Sequence, residues 1–176
     1  MPKIIFILGF YGILCADGGL FSPLFAQKVF EARDQFGLVK GNGVAVVEGT
    51  KIFRAEGAFA SAGPCVYLLE GNRVYLSSGA FCSFRGDCVF ILENQYFFQS
   101  GDAFGQTRDA LVFYVEGNRI YQGQGGYFRG ACLYIIEQDK VFVAQNGSPN
   151  FKGACVLIME SPLPPLALLA ILARRF

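Results

Sequence analysis

Short apolar runs, each closed by a glutamate and a turn, follow one another along most of the chain. The clearest is Cys65-Val66-Tyr67-Leu68-Leu69-Glu70-Gly71-Asn72-Arg73-Val74-Tyr75: an apolar run, a carboxylate, two turn residues, a cation, an apolar residue and an aromatic. Two runs separated by Gly-Asn predict a β-hairpin with a two-residue loop, because these residues accept the positive φ that such turns require. Glutamates at 48, 70, 93, 116, 137 and 160 recur every 21–23 residues, and a constant period of this size signals a repeat architecture. Five residues after the first five of them stands an aromatic: Phe53, Tyr75, Phe98, Tyr121 and Phe142. Six residues further on comes another in four units, at Phe59, Phe81, Phe104 and Tyr127, while the fifth unit has Ser148 with Phe151 close by.

Glycines mark the ends of these segments, at Gly57, Gly79, Gly101, Gly125 and Gly147 after the second strand and at Gly63, Gly86, Gly130 and Gly153 before the next. No glycine-rich loop leads into a helix, so none of them reads as a phosphate cradle. Each unit is expected to hold a strand, a tight turn, a second strand, a second turn and a short aromatic-bearing return. Lys28-Val29-Phe30 with Phe36 and Gly41 repeats the plan less faithfully; Leu20 to Phe25 would be its first strand, with Pro23 confining that strand to an edge or an irregular position. Lys3-Ile4-Ile5-Phe6 resembles a further half unit, and Cys155 to Glu160 is a first strand without a second. Complementary halves at the two ends can pair and close a ring, which removes the exposed sheet edges. The predicted fold is therefore all-β, a closed ring or shallow barrel of about six repeated β-hairpin units with a short apolar helix at the C-terminus. The first strands, such as Cys88-Val89-Phe90-Ile91-Leu92, are apolar throughout and do not alternate, which predicts strands covered on both faces. One face would look into an axial core and the returning aromatics or the terminal segments would cover the other.

Three regions follow. Residues 1–27 are an apolar N-terminal segment, 28–160 the hairpin repeats, and 161–176 a proline-rich turn with the helix. The run from Ile4 to Ala16 has the length of a signal-peptide core behind Lys3. Leu14-Cys15-Ala16 lacks the small residue expected three before a cut, so these residues are read as strand-forming members of the fold. Pro162, Pro164 and Pro165 stop the last strand, and Leu166 to Arg175 has helix-forming residues with cations at its C-terminal end. Ten residues or so are too few to span a bilayer as a helix. Capping an apolar opening of the sheet is the preferred role, ahead of lying in a membrane interface, because the helix lacks a charged face.

Composition supports this picture and removes several functions. Over half of the 176 residues are hydrophobic, with 19 Phe, 8 Tyr and 22 Gly but no His and no Trp. Aromatics with glycine favour strands and turns. A formal net charge of +1 leaves no electrostatic footprint for nucleic acid. Without histidine there is no Ser/His/Asp or Cys/His arrangement, and without a close Cys-x-x-Cys pair a zinc site is not expected. Cys65, Cys88, Cys132 and Cys155 each lie five residues before a unit-ending glutamate, so they are expected on different hairpins as small buried apolar residues and not as bonded pairs. Glu48 and Lys51, Glu70 and Arg73, Glu116 and Arg119, and Glu137 and Lys140 flank the tight turns and are expected to pair across them. The third unit, Glu93-Asn94-Gln95-Tyr96, lacks the cation, and Glu93 or Asp102 would be the residues of a weaker hydrolase alternative.

The texture of Glu70-Gly71-Asn72-Arg73-Val74-Tyr75 and Glu116-Gly117-Asn118-Arg119-Ile120-Tyr121, over residues 28–160, resembles the bacterial β-flower families, best known as the four-fold β-flower domain. The units here are longer and more numerous than in that domain. The membrane occupation and recognition nexus hairpin repeats have a similar period, but their Tyr-x-Gly start occurs here only at Tyr121-Gln122-Gly123 and that family is set aside. The β-flower resemblance implies a symmetric barrel of radiating hairpins with a hydrophobic centre, and through likeness of shape to Tubby-like domains a lipid-related role. The expectation is a non-enzymatic module with no catalytic residues, no cofactor and no metal, binding a lipid or a hydrophobic partner segment at its apolar centre. Membrane association would run through the apolar termini, and a cytoplasmic or peripheral membrane place is favoured over export. The alternative is an exported, envelope-associated structural protein.

Overall fold

The computed structural model describes residues 26–78 and 81–174. In chain order the strands are β1 (Gln27–Ala32), β2 (Lys40–Glu48), β3 (Lys51–Glu56), β4 (Ser61–Glu70), β5 (Arg73–Ser78), β6 (Phe84–Glu93), β7 (Tyr96–Ser100), β8 (Arg108–Glu116), β9 (Arg119–Gln124), β10 (Phe128–Glu137), β11 (Lys140–Ala144) and β12 (Lys152–Met159), followed by the helix α1 (Pro165–Ala173). Each strand pairs antiparallel with its sequence neighbours and β12 pairs with β1, so the sheet closes into a barrel. Closure is thus present, but by another pair than expected: β12 has β1, read from the sequence as the second strand of the degraded unit, as its neighbour opposite β11. The Leu20 to Phe25 strand, the Lys3 to Phe6 half unit and the apolar run from Ile4 to Ala16 lie outside the described residues.

The count of about six hairpin units gives way to twelve strands. Five tight turns join β2 to β3, β4 to β5, β6 to β7, β8 to β9 and β10 to β11, with Glu48 opposite Lys51, Glu70 opposite Arg73, Glu93 opposite Tyr96, Glu116 opposite Arg119 and Glu137 opposite Lys140. No turn joins β12 to β1, whose pairing assembles from the two ends of the described chain. The first central residue of each turn takes the positive φ, at Gly49, Gly71, Asn94, Gly117 and Gln138. The asparagine at the second place has its own use: Asn72 and Asn118 donate through Nδ2 to the Leu92 and Ile136 carbonyls of the next hairpin.

Every pairing from an odd strand to the following even one carries the same irregularity. Ile52 faces Tyr67 while Phe53 faces Cys65, and Val74 faces Phe90 while Tyr75 faces Cys88; the pattern repeats at Phe97/Phe113, Ile120/Tyr134 and Val141/Leu157. One extra residue in the even strand forms a bulge, which resets the side-chain alternation and increases the local twist. The residue before the bulge therefore faces outward, and Tyr67, Phe113, Tyr134 and Leu157, beyond it, join the inner core. Apolar residues on both sides of this switch account for first strands that show no alternation.

The inner core surrounds α1. A twelve-stranded barrel is too wide for its own side chains to fill, and here the helix occupies the axis. All of Leu166, Ala167, Leu168, Leu169, Ala170, Ile171 and Leu172 are buried, packed with Val29, Val47, Phe97, Phe113, Ile120 and Leu157 from around the wall. A helix that is apolar all round is stable only when enclosed, and Pro165 at its first turn fits because proline needs no amide partner there. The expectation that this helix caps an opening is corrected: it lies within the barrel. Burying its five Leu and Ile side chains stabilises the fold by on the order of 10 kcal/mol.

Candidate functional site

Because the strands alternate in direction, all loops from odd to even strands leave the same rim, and they fold back over the outer wall. At three of the bulges an outward amide of the even strand donates to the returning loop: Cys88 N to Ala103 O at 2.9 Å, Cys155 N to Gln35 O at 2.9 Å, and Gly43 N to Gly57 O at 3.1 Å. The turn cations hold the same loops down. Lys28 Nζ donates to Phe59 O (2.9 Å), Lys51 Nζ to Phe81 O (3.1 Å), Arg73 Nε to Gly105 O (2.9 Å), Arg119 Nε to Pro149 O (2.9 Å) and Lys140 Nζ to Phe36 O (3.4 Å). In the third unit Tyr96 takes the place of the cation and meets the loop residue Tyr127 edge to face, ring centres 5.2 Å apart. The departure at Glu93-Asn94-Gln95-Tyr96 is thus one loop contact replaced by another.

The glutamates do not pair across their own turns as expected. With the turn cations drawn to loop carbonyls, each carboxylate takes a cation from the next hairpin: Glu70 with Arg85 (2.6 Å), Glu93 with Arg108, Glu116 with Arg129, Glu137 with Lys152 (2.5 Å) and Glu160 with Lys40 (3.0 Å). Each of these cations also lies over an aromatic ring, Arg85 over Tyr75, Arg108 over Phe98, Arg129 over Tyr121, Lys152 over Phe142 and Lys40 over Phe30. Where Glu48 would find its partner the chain has Ala62.

That same region contains a disulfide, Cys65 to Cys82, with Cα atoms 5.3 Å apart. The expectation of unbonded cysteines is corrected for Cys65 and stands for Cys88, Cys132 and Cys155, which are free and buried. Cys82 follows the loop aromatic Phe81 at φ 56°, a place where the neighbouring loops carry Gly37 and Gly105 at φ 65° and 69°. A Cβ added to those glycines would lie 2.6 and 2.7 Å from the Sγ atoms of Cys155 and Cys88. Loop residue and wall cysteine are therefore in register, and only the β5–β6 loop supplies a second sulfur. The signal was present in the spacing of Cys82 from Phe81, but it points to a partner only once the loop is known to fold back. Burial pushes the Cys132 and Cys155 thiols up from their ordinary pKa, which keeps them as unreactive thiols.

Apart from Tyr127, which rests edge to face on Tyr96 and Phe98, the loop aromatics do not cover the wall as expected. Small loop residues and backbone do so, and Phe36, Phe59, Phe81, Phe104, Tyr127 and Phe151 are all more than half exposed, from 58% at Tyr127 to 85% at Phe59. Asp102 fixes one of these loops, accepting from the amides of Phe104, Gln106 and Thr107 and from the Thr107 hydroxyl. These bonds, the Thr107 hydroxyl foremost, hold its carboxyl well below the usual range. Asp34 makes the same turn in the β1–β2 loop; desolvation, the largest single effect, opposes the shift, and the amides of Leu38, Val39, Phe36 and Gly37 together outweigh it and lower the carboxyl. Glu93 is in an ion pair and Asp102 is a loop-forming residue, so the two acids singled out from the sequence do different structural work. No group of three His, Cys, Asp or Glu that could hold a metal ion occurs among the described residues, and no helix among them is long and apolar enough to cross a membrane.

Among the open cavities of the described residues, two bear on function. One of about 350 Å³ lies at the β1–β12 closure, lined by Lys28, Phe30, Arg33, Lys40, Phe59 and Glu160. The other, about 340 Å³, lies at the barrel mouth beside the C-terminal end of α1, between Ile171, Arg174 and the strands β2, β3 and β4. No family model, curated protein or solved structure matches the chain at a significant level.

Proposed function

We propose that the chain is a non-enzymatic binding module of the β-flower kind that engages lipid assemblies through the belt of loop aromatics. The observation that carries this reading is the set of six exposed rings on loops clamped to the wall. Phe36, Phe59, Phe81, Phe104 and Phe151 need no exposure for packing, and the cation-to-carbonyl bonds hold their loops in place before any ligand arrives. Ordering a surface in advance lowers the entropic cost of association, and aromatic side chains are suited to the boundary between water and lipid. The axis is filled by α1, so the lipid-facing part of the reading moves from the centre to the outside. Flotation of the full chain with zwitterionic phospholipid vesicles tests it. Serine at Phe59, Phe104 and Phe151 together is expected to cut partitioning at least tenfold while the melting temperature holds. A wild-type chain that does not float, or a triple variant that floats equally, rejects the reading.

One observation favours the alternative of an exported structural protein: disulfides persist mainly in oxidising compartments, and Cys65 to Cys82 is one. N-terminal sequencing of protein recovered from its source cells, with thiol titration before and after reduction, decides it. An intact Met1 or Pro2 with all thiols reactive excludes export.

A further inference from the structure

We propose that the cavity at the barrel mouth is a binding site for a monoanionic amphiphile of the fatty-acid class, seated beside the last turn of α1. The proposal rests on the lipid-binding reading above and assigns it a single-molecule site. The inner wall explains why a cavity forms there. Just beyond each bulge an inward residue pairs with a residue of the mouth: Tyr67 with Leu76, Phe90 with Gln99, Phe113 with Gln122, Tyr134 with Val143 and Leu157 with Glu31. The remaining member of this layer is Ala45, opposite Arg54. Five bulky side chains and one alanine surround the helix, and the cavity of about 340 Å³ opens where the bulk is missing, with Ala45, Val66, Tyr67 and Ile171 among its lining. That volume is within the roughly 300–1,000 Å³ of small-molecule sites.

The charges at the opening set the ligand's chemistry. Among the described residues, Arg54 and Arg174 both line the cavity, and Glu31 is the one carboxylate that does. Two guanidiniums against one carboxylate leave a positive charge that exceeds the roughly half negative charge of the helix C-terminus, and so small an excess favours one carboxylate over a doubly charged phosphate. A guanidinium holds a carboxylate by paired hydrogen bonds, and the apolar wall behind receives a chain. The outer belt, by contrast, offers aromatic rings in a surface, and the cavity beside Phe59 is lined by four charged side chains, Lys28, Arg33, Lys40 and Glu160.

Isothermal titration of the full chain with decanoate, and separately with decanol, tests the site. Decanoate is expected to bind one per chain. Ala45→Leu fills the gap with the residue that Leu157 supplies in the same layer, and is expected to lower decanoate affinity at least tenfold without changing vesicle flotation. Arg54→Gln with Arg174→Gln, both at the exposed mouth, is expected to weaken decanoate about tenfold and leave decanol unchanged; this pair keeps the test usable should Ala45→Leu not fold. No decanoate binding by the wild type, or affinity unchanged in both variants, overturns the proposal. Decanoate binding that survives Ala45→Leu but is lost with the Phe59, Phe104 and Phe151 serine variant moves the ligand to the outer belt. That result overturns the mouth site and leaves the lipid reading standing, whereas a wild-type chain that binds decanoate at the mouth but does not float with vesicles does the reverse.

Discussion

On the outside of the barrel Lys40, Arg85, Arg108, Arg129 and Lys152 meet the same two partners in the same order, an aromatic ring beneath and a glutamate from the preceding hairpin. On the inside the matching layer reads Ala45, Tyr67, Phe90, Phe113, Tyr134 and Leu157, with no common side chain. Both walls belong to the same strands, so the difference lies in what each must satisfy. The returning loops pose a common local problem, a carbonyl to be held against the wall, and a lysine or arginine solves it in five of them while Tyr96 meets the sixth. The inner wall faces a single helix whose surface differs in every direction, so its residues must differ too. Periodic sequence therefore reports the outer wall, and function specific to one position is to be sought where the period fails.

The largest effect that separates the walls comes from α1. Leu169→Asp places an unpaired charge on the axis and is expected to abolish the cooperative fold, as read by loss of the thermal transition. Leu169→Ala is expected to cost about 2–5 kcal/mol, lowering the melting temperature by roughly 2–4 °C per kcal/mol for a chain of this size. Next comes the disulfide, which closes a separation of 17 residues. Cys82→Ser is expected to cost about 3 kcal/mol on the chain-entropy account, and reduction of the wild type should reproduce that loss in denaturant unfolding. If the outer loops were independent of the barrel, the variant would change local protection and leave the global transition where it was.

How far the fold was legible follows from the same contrast. The hairpin turns, the period and closure of the sheet were readable because Glu-Gly-Asn-Arg and its variants recur at fixed spacing and impose their geometry locally. The place of α1 was not, because Leu166 to Leu172 is equally apolar whether it caps a barrel or fills one, and the choice depends on the lumen width set by twelve strands. The ion pairs were assigned to the wrong partners for a similar reason. Glu70 and Arg73 do face each other across the turn, yet a loop more than thirty residues away claims the arginine first. The bond to Cys82 was not legible because its partner is set by how the loop folds over the wall, and the exposure of the loop aromatics depends on the same fold. The mouth cavity was legible only as an absence, the alanine at 45 in a layer of bulky residues, and that layer is defined by bulges that spacing alone does not locate.

A smaller effect sharpens the repeat itself. Gly105→Cys would place a sulfur over Cys88 at the same sequence separation that joins Cys65 to Cys82, and the added Cβ meets the Cys88 Sγ and the movable end of Arg73. Closing the loop is expected to gain about 3 kcal/mol, offset by roughly 1–2 kcal/mol for a side chain at positive φ. A net stabilisation of about 1–2 kcal/mol under oxidising conditions, absent under reduction, would show that the loops hold a common register on the wall. Intact mass after alkylation, with two fewer alkylated thiols than the unbonded variant would carry, checks that the bond has formed.

The smallest effect concerns one loop. Asp102 is held ionised by the Thr107 hydroxyl and by the amides of Gln106, Thr107 and Phe104, so its folded carboxyl titrates below its unfolded value of about 3.9. A depressed acid stabilises the fold above the unfolded pKa and loses that contribution as pH falls through the folded one. Amide exchange at Gln106 and Thr107 should therefore be slow at neutral pH and accelerate relative to the barrel strands as the solution is acidified below about pH 4. In Asp102→Asn the side chain still has one acceptor oxygen but no charge, so the same amides should already be less protected at neutral pH and show no further change on acidification. Exchange in β7 and β8 should be unaffected in both proteins, since the carboxylate bonds only within its loop and to the Thr107 side chain. Equal protection in the two proteins would show that the backbone contacts to the wall, and not the aspartate, hold Phe104 outward.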